Sequence, residues 1–196
     1  TFTLQKNHYA IGRIEFDHWL INQSKPDIVN HTVKDISFDG DRYIIDGLYA
    51  AKYLVGAGGT NCPVNRTFFK PELVEPKGSL IVAQEEEFEY DYNDDRCYLW
   101  FFENGLRGYA WYVPKVGGFV NIGVGGGVAA LYAKNDTLKR HWRLLVEKLD
   151  TMGLVSGIDF KPLGHSYYLR RKNPVLRIAN AFIIGDAIGL ATRDMG

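Results

Sequence analysis

AFIIGDAIG (residues 181–189) is the most informative stretch of the sequence, because a short apolar strand stops there abruptly at glycine and an acidic residue. In α/β folds, ligands bind beyond the carboxyl ends of such strands. Glycine lets a cofactor approach the backbone, and a helix beginning there would point free N–H groups at a phosphate. Gly185, Asp186 and Gly189 are therefore candidate ligand-binding residues, with Asp186 as an acceptor for ribose-type hydroxyls. The alternative is that the glycines only turn the chain after a buried strand.

A second stretch, YLVGAGG (residues 53–59), has the same organisation. An apolar strand over residues 52–55 runs into four small residues, of which Gly56, Ala57 and Gly59 are the candidates for ligand contact. We predict that these two glycine turns, residues 56–59 and 185–189, come together in space and hold a single ligand.

The chain between residues 79 and 124 is rich in strand patterns. Aromatic and acidic residues alternate over residues 87–92, residues 98–102 are continuously apolar, and Gly117-Gly118 predicts a hairpin. This region is predicted to be an antiparallel sheet with one covered face. Tyr109 and Trp111 alternate along one strand and so share a face. They either wall an apolar cavity or are ordinary core aromatics.

Helices and a further hairpin complete the predicted α+β fold. The clearest helix spans residues 138–152 and ends at Gly153, and its apolar stripe comprises Leu138, Trp142, Leu145, Leu149 and Met152. A shorter helix is predicted over residues 15–23. A hairpin is predicted for residues 31–48 around Asp39-Gly40-Asp41.

Composition excludes several classes of function. The 196 residues include 23 basic and 23 acidic ones, so a nucleic-acid partner, which needs a basic excess, is not expected. An apolar run of the roughly 20 residues that span a bilayer is absent from the sequence. Two distant cysteines and scattered histidines match no metal spacing, and they favour a reducing, cytoplasmic location.

Three segments resemble motifs of the para-hydroxybenzoate hydroxylase-like flavoproteins. Residues 185–196 resemble the family's second FAD motif, and residues 56–66 resemble its middle motif. Arg13, with Phe16-Asp17 and Leu20, is similar to its Arg-x-x-Phe-Asp helix start. The order and spacing of the three agree with the family. The resemblance implies FAD as cofactor, contacted by Arg13, by Gly56, Ala57 and Gly59, and by Gly185, Asp186 and Gly189.

A fourth match points to one branch. Tyr109–Lys115 (YAWYVPK) and Val120–Gly125 (VNIGVG) resemble the Tyr-x-Trp-x-x-Pro strand and the Asn-x-Gly-x-Gly strand of the geranylgeranyl reductase family. This resemblance implies a large antiparallel substrate domain in which Tyr109, Trp111 and Pro114 line a cavity near the flavin. It also implies hydride transfer to a carbon–carbon double bond of a polyprenyl or similar apolar substrate, with NAD(P)H or a ferredoxin-like protein as electron donor.

The sequence departs from the family in three places. Gly58 stands where Asp is usual, Cys62 stands where Ser is frequent, and the Gly-x-Gly-x-x-Gly motif for the ADP pyrophosphate is absent. We therefore expect a fragment that alone binds FAD poorly and is inactive. The expected division is residues 1–66 and 179–196 as segments of an α/β FAD-binding domain and residues 67–178 as the substrate domain.

Two other functions stay open. A flavin-dependent aromatic monooxygenase or halogenase is one, since the Tyr-x-Trp-x-x-Pro strand is loosely similar to a Trp-x-Trp-x-Ile-Pro segment of flavin halogenases. A non-catalytic lipid-binding module is the other, favoured mildly by the missing Asp at position 58. The basic run of residues 170–172 is a surface turn or a peripheral contact with a membrane or phosphate.

Overall fold

The computed structural model describes residues 10–69, 78–170 and 174–192. The end of the second FAD-like motif (residues 193–196) and residues 171–172 of the basic run lie outside this description. The described α-helices are α1 (Arg13–Ser24), α2 (Val128–Ala133) and α3 (Leu138–Thr151), and a π-helical segment spans Asn65–Phe69. The described strands are β1 (Ile36–Phe38), β2 (Tyr43–Ile45), β3 (Tyr49–Ala51), β4 (Leu54–Gly56), β5 (Leu80–Glu89), β6 (Tyr98–Phe101), β7 (Gly108–Lys115), β8 (Phe119–Gly127), β9 (Leu163–Tyr168), β10 (Arg177–Ile178) and β11 (Ala181–Ile183).

The described residues gather into two compact units. One comprises residues within 1–29, 84–124 and 138–164, and the other comprises residues within 30–83, 125–137 and 165–196. The predicted domain boundaries after residues 66 and 178 remain a prediction, because compact units are not by themselves functional domains. Among the described helices, none has the length and apolar character needed to cross a membrane.

The second unit is built on two small sheets with the strand orders β1-β2-β3 and β10-β11-β4. The predicted hairpin is confirmed but shorter, with Ile36 opposite Ile45 and Phe38 opposite Tyr43. The backbone N–H of Asp39 donates to the Arg42 carbonyl at 3.1 Å and closes its turn. Strand β3 was not predicted. The core of this unit includes Ile36, Tyr43, Leu54, Cys62, Val64, Phe69, Ala181, Ile183, Ala187 and Ile188.

A five-stranded sheet has the order β6-β7-β8-β5-β9, and its β6–β7 pair is antiparallel. In the first unit α3 packs against this sheet, where Lys148 lies 4.9 Å from the centre of the Trp100 ring. The mixture of helix and antiparallel sheet is the predicted fold class.

The apolar stripe of α3 is confirmed except at its end. Trp142, Leu145 and Leu149 are buried, whereas Met152 is 42% exposed, so its predicted place in the stripe is wrong. The helix ends at Thr151, and Gly153 follows with a φ of 69°. Met152 therefore lies just beyond the helix, and the left-handed Gly153 after it turns the chain away from the stripe.

Helix α1 forms at the predicted place but extends further in both directions, to Arg13 and Ser24. Within the described part of the chain none of its residues is buried, and Trp19 is 56% exposed.

Candidate functional site

The structure brings the two glycine turns together. Strands β4 and β11 pair in parallel, with Gly56 opposite Ile183, and the backbone N–H of Ile184 donates to the Gly56 carbonyl at 3.0 Å. Parallel strands end at the same edge of a sheet, so both turns leave the sheet side by side. This is the arrangement that the sequence predicted.

Short 3₁₀ turns follow the two strand ends, at Gly59–Asn61 and Gly185–Ile188, and beyond the first of them a π-helical segment spans Asn65–Phe69. Gly59 and Gly185 begin them with φ values of 67° and 60°, a left-handed conformation that glycine adopts without strain. A turn of three or four residues carries little dipole, so the expected contact of a phosphate with a helix N-terminus stays a prediction.

The glycines of the two turns have different physical roles. A Cβ on Gly56 would lie 2.7 Å from Val64 Cβ and 2.9 Å from Cys62 Sγ, so this residue is glycine because the core behind it is full. A Cβ on Gly189 would lie 2.8 Å from Tyr168 Cβ. In contrast, nothing lies within 4 Å of a Cβ built on Gly59 or Gly185. Only this second pair leaves open space in which a ligand could approach.

Two side-chain hydrogen bonds that the sequence analysis missed hold the turns in place. Asn65 Nδ2 donates to the Ala187 carbonyl at 2.5 Å, and Thr60 Oγ1 donates to the Ser166 carbonyl at 2.5 Å. Asn65 Oδ1 is buried without a hydrogen-bond partner among the described residues. Asn65 lies within the segment that resembles the middle motif, at a position where that motif specifies no residue type, and its partner lies 122 residues away, so no local signal marks it.

Asp186 and Ala57 lie at the exposed surface of the two turns. Asp186 stands in the first turn after Gly185 and forms no ion pair within the described part of the chain, so its carboxylate is available to accept hydrogen bonds. Arg13 belongs to the other compact unit, where its Nε donates to Asp17 Oδ2 at 2.7 Å and its side chain is 84% exposed. Its predicted contact with FAD therefore stays a prediction.

An aromatic face lies on strands β6 and β7 of the first unit, formed by Leu99, Phe101, Tyr109 and Trp111. Phe101 is opposite Tyr109 and Leu99 is opposite Trp111 across the β6–β7 ladder. The Tyr109 ring lies 5.5 Å from both the Phe101 and the Trp111 rings. Leu99 and Phe101 are 44% and 46% exposed, so the face is open to solvent. Burial, and then the charge of Glu85, raise the pKa of Tyr109 and keep its phenol neutral.

Trp111 is fixed by the neighbouring strand β8. Its Nε1–H donates to Asn121 Oδ1 at 2.6 Å. A Cβ on Gly123 would lie 2.0 Å from Trp111 Cζ2, so the indole rests directly on the bare backbone. The Trp, Asn and Gly that carried the sequence resemblance thus form one packed unit.

Pro114 does not belong to this face. Side chains alternate along a strand, so Pro114 shares the side of the fully buried Tyr112, opposite to Tyr109 and Trp111. The strand therefore turns Pro114 away from the aromatic face, and its predicted contact with a substrate stays a prediction.

Comparison with known proteins places this geometry in a fold class. No family model and no curated protein matches the chain. Solved structures do match, among them a geranylgeranyl bacteriochlorophyll reductase-like protein from Thermoplasma acidophilum, with a TM-score of 0.61 and 18% identity over 81% of this chain and 41% of that one. The flavin-dependent halogenase CmlS matches with a TM-score of 0.58 and 19% identity over 90% and 35%. The peptidyl tryptophan dihydroxylase QhpG matches with a TM-score of 0.59 and 17% identity over 92% and 41%.

The chain shares its fold with these structures, and the matching structures include proteins described as flavin-dependent or FAD-dependent enzymes. At these identities the likeness concerns the fold alone, and the chain spans between 35% and 41% of the length of these three structures. The two glycine turns fit an FAD in two respects: open space beyond the left-handed Gly59 and Gly185, and the exposed Asp186 carboxylate, which can accept hydrogen bonds from hydroxyl groups.

Proposed function

We propose that this chain is part of an FAD-dependent oxidoreductase that reduces a carbon–carbon double bond of a polyprenyl or similarly apolar substrate. The observation that carries the proposal is the parallel pairing of β4 with β11, which sets the two glycine turns next to each other. FAD, when bound, would supply the hydride. The chain would hold the cofactor through the Asp186 carboxylate and through close approach at Gly59 and Gly185.

The aromatic face supports the choice of an apolar substrate. Its exposed hydrocarbon surface favours a ligand that removes it from water, at roughly 25 cal/mol per Å² of apolar area buried. Tyr109 and Trp111 would orient such a chain and exclude water from it. Pro114 is left out of this role because it lies on the other side of its strand.

The same observations support a second function equally well. CmlS and the myxobacterial CndH are flavin-dependent halogenases, and PqsL is described as a probable FAD-dependent monooxygenase. An aromatic substrate would suit the aromatic face as well as a prenyl chain does. Incubation of the full-length protein with reduced cofactor and either a prenyl substrate, or halide and oxygen with an aromatic substrate, separates the two by product analysis. A reduced prenyl product supports the reductase, and a halogenated or hydroxylated product overturns it.

The visible spectrum of the full-length protein tests whether a flavin is bound at all. We expect yellow flavin absorbance that weakens in Asp186→Ala and persists in Asp150→Ala, a matched change of an exposed aspartate on α3. A colourless wild-type protein that added FAD cannot colour would favour the non-catalytic lipid-binding module instead. Equal flavin content in the two variants would remove Asp186 from the site.

The electron donor and the location belong to the same proposal. NAD(P)H or a ferredoxin-like protein would reduce the flavin, and a peripheral contact with a membrane would give access to a prenyl lipid. Stopped-flow reduction of the bound flavin by each donor separates the two donors. Co-sedimentation with phosphatidylglycerol vesicles tests the membrane contact.

A further inference from the structure

Strand β8 holds the Trp111 indole of the aromatic face in a defined way. Trp111 is half-buried, and its only polar group, Nε1–H, is turned toward β8, where Asn121 accepts it at 2.6 Å. Gly123, two residues further along β8, leaves bare backbone beneath the ring. Because residues two apart on a strand share a face, Asn121 and Gly123 support the same indole from one side.

We propose that Asn121 is a positioning residue that sets the plane of the Trp111 indole and thereby makes the aromatic face selective for uncharged, apolar substrates. The proposal rests on the proposed function, because it assumes that this face receives the substrate. Asn121 itself need not touch the substrate, since it acts through Trp111.

The physical reason lies in where the indole N–H goes. A tryptophan N–H needs an acceptor when it is removed from water. With Asn121 in place, the N–H is satisfied inside the protein, and the ring presents hydrocarbon toward Tyr109, whose ring centre is 5.5 Å away. Without an acceptor at residue 121, the ring would have to rotate to reach water or leave its donor unpaired. A rotated ring would disrupt the flat apolar surface of the aromatic face, and an unpaired N–H would add a polar donor to it.

The charge near this face acts in the same direction. Glu85 lies close enough to Tyr109 to contribute to the rise in the pKa of its phenol. The four members of the face, Leu99, Phe101, Tyr109 and Trp111, include no cation that could pair with an anionic ligand. The aromatic face therefore suits neutral chains better than carboxylate or phosphate groups that would lie directly on it.

The test uses the full-length protein and N-phenyl-1-naphthylamine, a neutral apolar fluorescent probe. Asn121→Leu keeps the size of the side chain but removes the acceptor, and we expect about tenfold weaker probe binding together with loss of the near-ultraviolet circular dichroism of Trp111. Asn121→Asp keeps an acceptor oxygen at the same place, and we expect it to restore binding to within about twofold of the wild type.

A double-mutant cycle separates positioning from general packing. In a Trp111→Phe background there is no indole N–H to donate a hydrogen bond to residue 121. Asn121→Leu should therefore not weaken probe binding any further in that background. Equal weakening in both backgrounds, or wild-type binding by Asn121→Leu, overturns the proposal. If Asn121→Leu does not fold, Asn121→Ala in the two backgrounds gives the same comparison without added bulk.

The proposed function fails separately from this inference. The visible spectrum of each sample reports bound flavin, and a colourless wild-type protein overturns the oxidoreductase proposal. The probe titration and the circular dichroism band need no flavin, so they decide the role of Asn121 in that case too.

Discussion

Replacing Gly189 by alanine should destabilise the protein through two effects whose sizes follow from the structure. Gly189 has a φ of 65°, and holding an L-residue in this left-handed region costs about 1–2 kcal/mol. The new Cβ would also lie 2.8 Å from Tyr168 Cβ and 3.2 Å from the Tyr168 carbonyl oxygen. Overpacking of this kind costs about 1–3 kcal/mol. The sum lowers the free energy of unfolding by about 2–5 kcal/mol.

Gly185→Ala is the matched control, because it has nearly the same backbone conformation without the close contact. Its φ is 60°, and nothing lies within 4 Å of its added Cβ. Both substitutions stiffen the unfolded chain alike, so that effect cancels in the difference between them. The clash with Tyr168 remains, and it should make Gly189→Ala less stable than Gly185→Ala by about 1–3 kcal/mol.

Urea unfolding of the full-length protein, followed by tryptophan fluorescence, measures this difference. An unchanged slope with a shifted midpoint shows that stability alone has changed. Equal midpoints for the two variants, or a lower one for Gly185→Ala, would refute the assignment of Gly189 to close packing against Tyr168.

Three further outcomes are expected. Asn65→Ala loses its hydrogen bond to the second glycine turn and should lower the free energy of unfolding by about 1 kcal/mol in urea, so an unchanged midpoint contradicts its role. Hydrogen bonds from backbone N–H groups, that of Asp35 first, lower the pKa of Asp46. The ionised Asp46 carboxylate therefore stabilises the fold above the usual carboxyl pKa of about 4, and this stabilisation fades as the pH falls below that value. Asp46→Ala should therefore be less stable than wild type near pH 7, with a gap in urea midpoint that narrows toward about pH 3, and a gap independent of pH would exclude this linkage. Gly123→Ala would place a Cβ 2.0 Å from Trp111 Cζ2 and should alter the near-ultraviolet circular dichroism of that indole, which an unmoved ring would leave as it is.

Local patterns predicted those elements whose cause is local. The apolar stripe of α3 and the Asp39-Gly40-Asp41 turn each depend on neighbouring residues, and both are present in the structure. Strand β3 was missed because Tyr49–Ala51 has no alternating pattern, and its pairing with β2 forms it instead. Helix α1 extends beyond the predicted residues 15–23, because the helical spacing was read only between Phe16 and Gln23.

The candidate site depends on contacts that local patterns do not encode. Adjacency of the two glycine turns was inferred from the rule for strand ends, and the parallel register of β4 with β11 fulfils it. No such rule points to Asn65. Its side-chain amide donates to the Ala187 carbonyl, and a backbone carbonyl carries no residue-specific signal in the sequence. Pro114 was grouped with Tyr109 and Trp111 because the motif was transferred as a block, without the alternation of side chains along β7.

The two glycine turns also show why a glycine motif is ambiguous until its surroundings are known. Gly56 and Gly189 meet side chains or backbone where a Cβ would stand, so the packing of the protein accounts for them with or without a ligand. Gly59 and Gly185 meet nothing there, and their left-handed backbone alone accounts for glycine. Substitution of the first pair should therefore act mainly on stability. Substitution of the second pair should cost less stability and should mainly weaken the binding of a ligand that occupies the open space. Comparing the loss of ligand binding with the loss of stability for each glycine therefore locates the ligand independently of any motif.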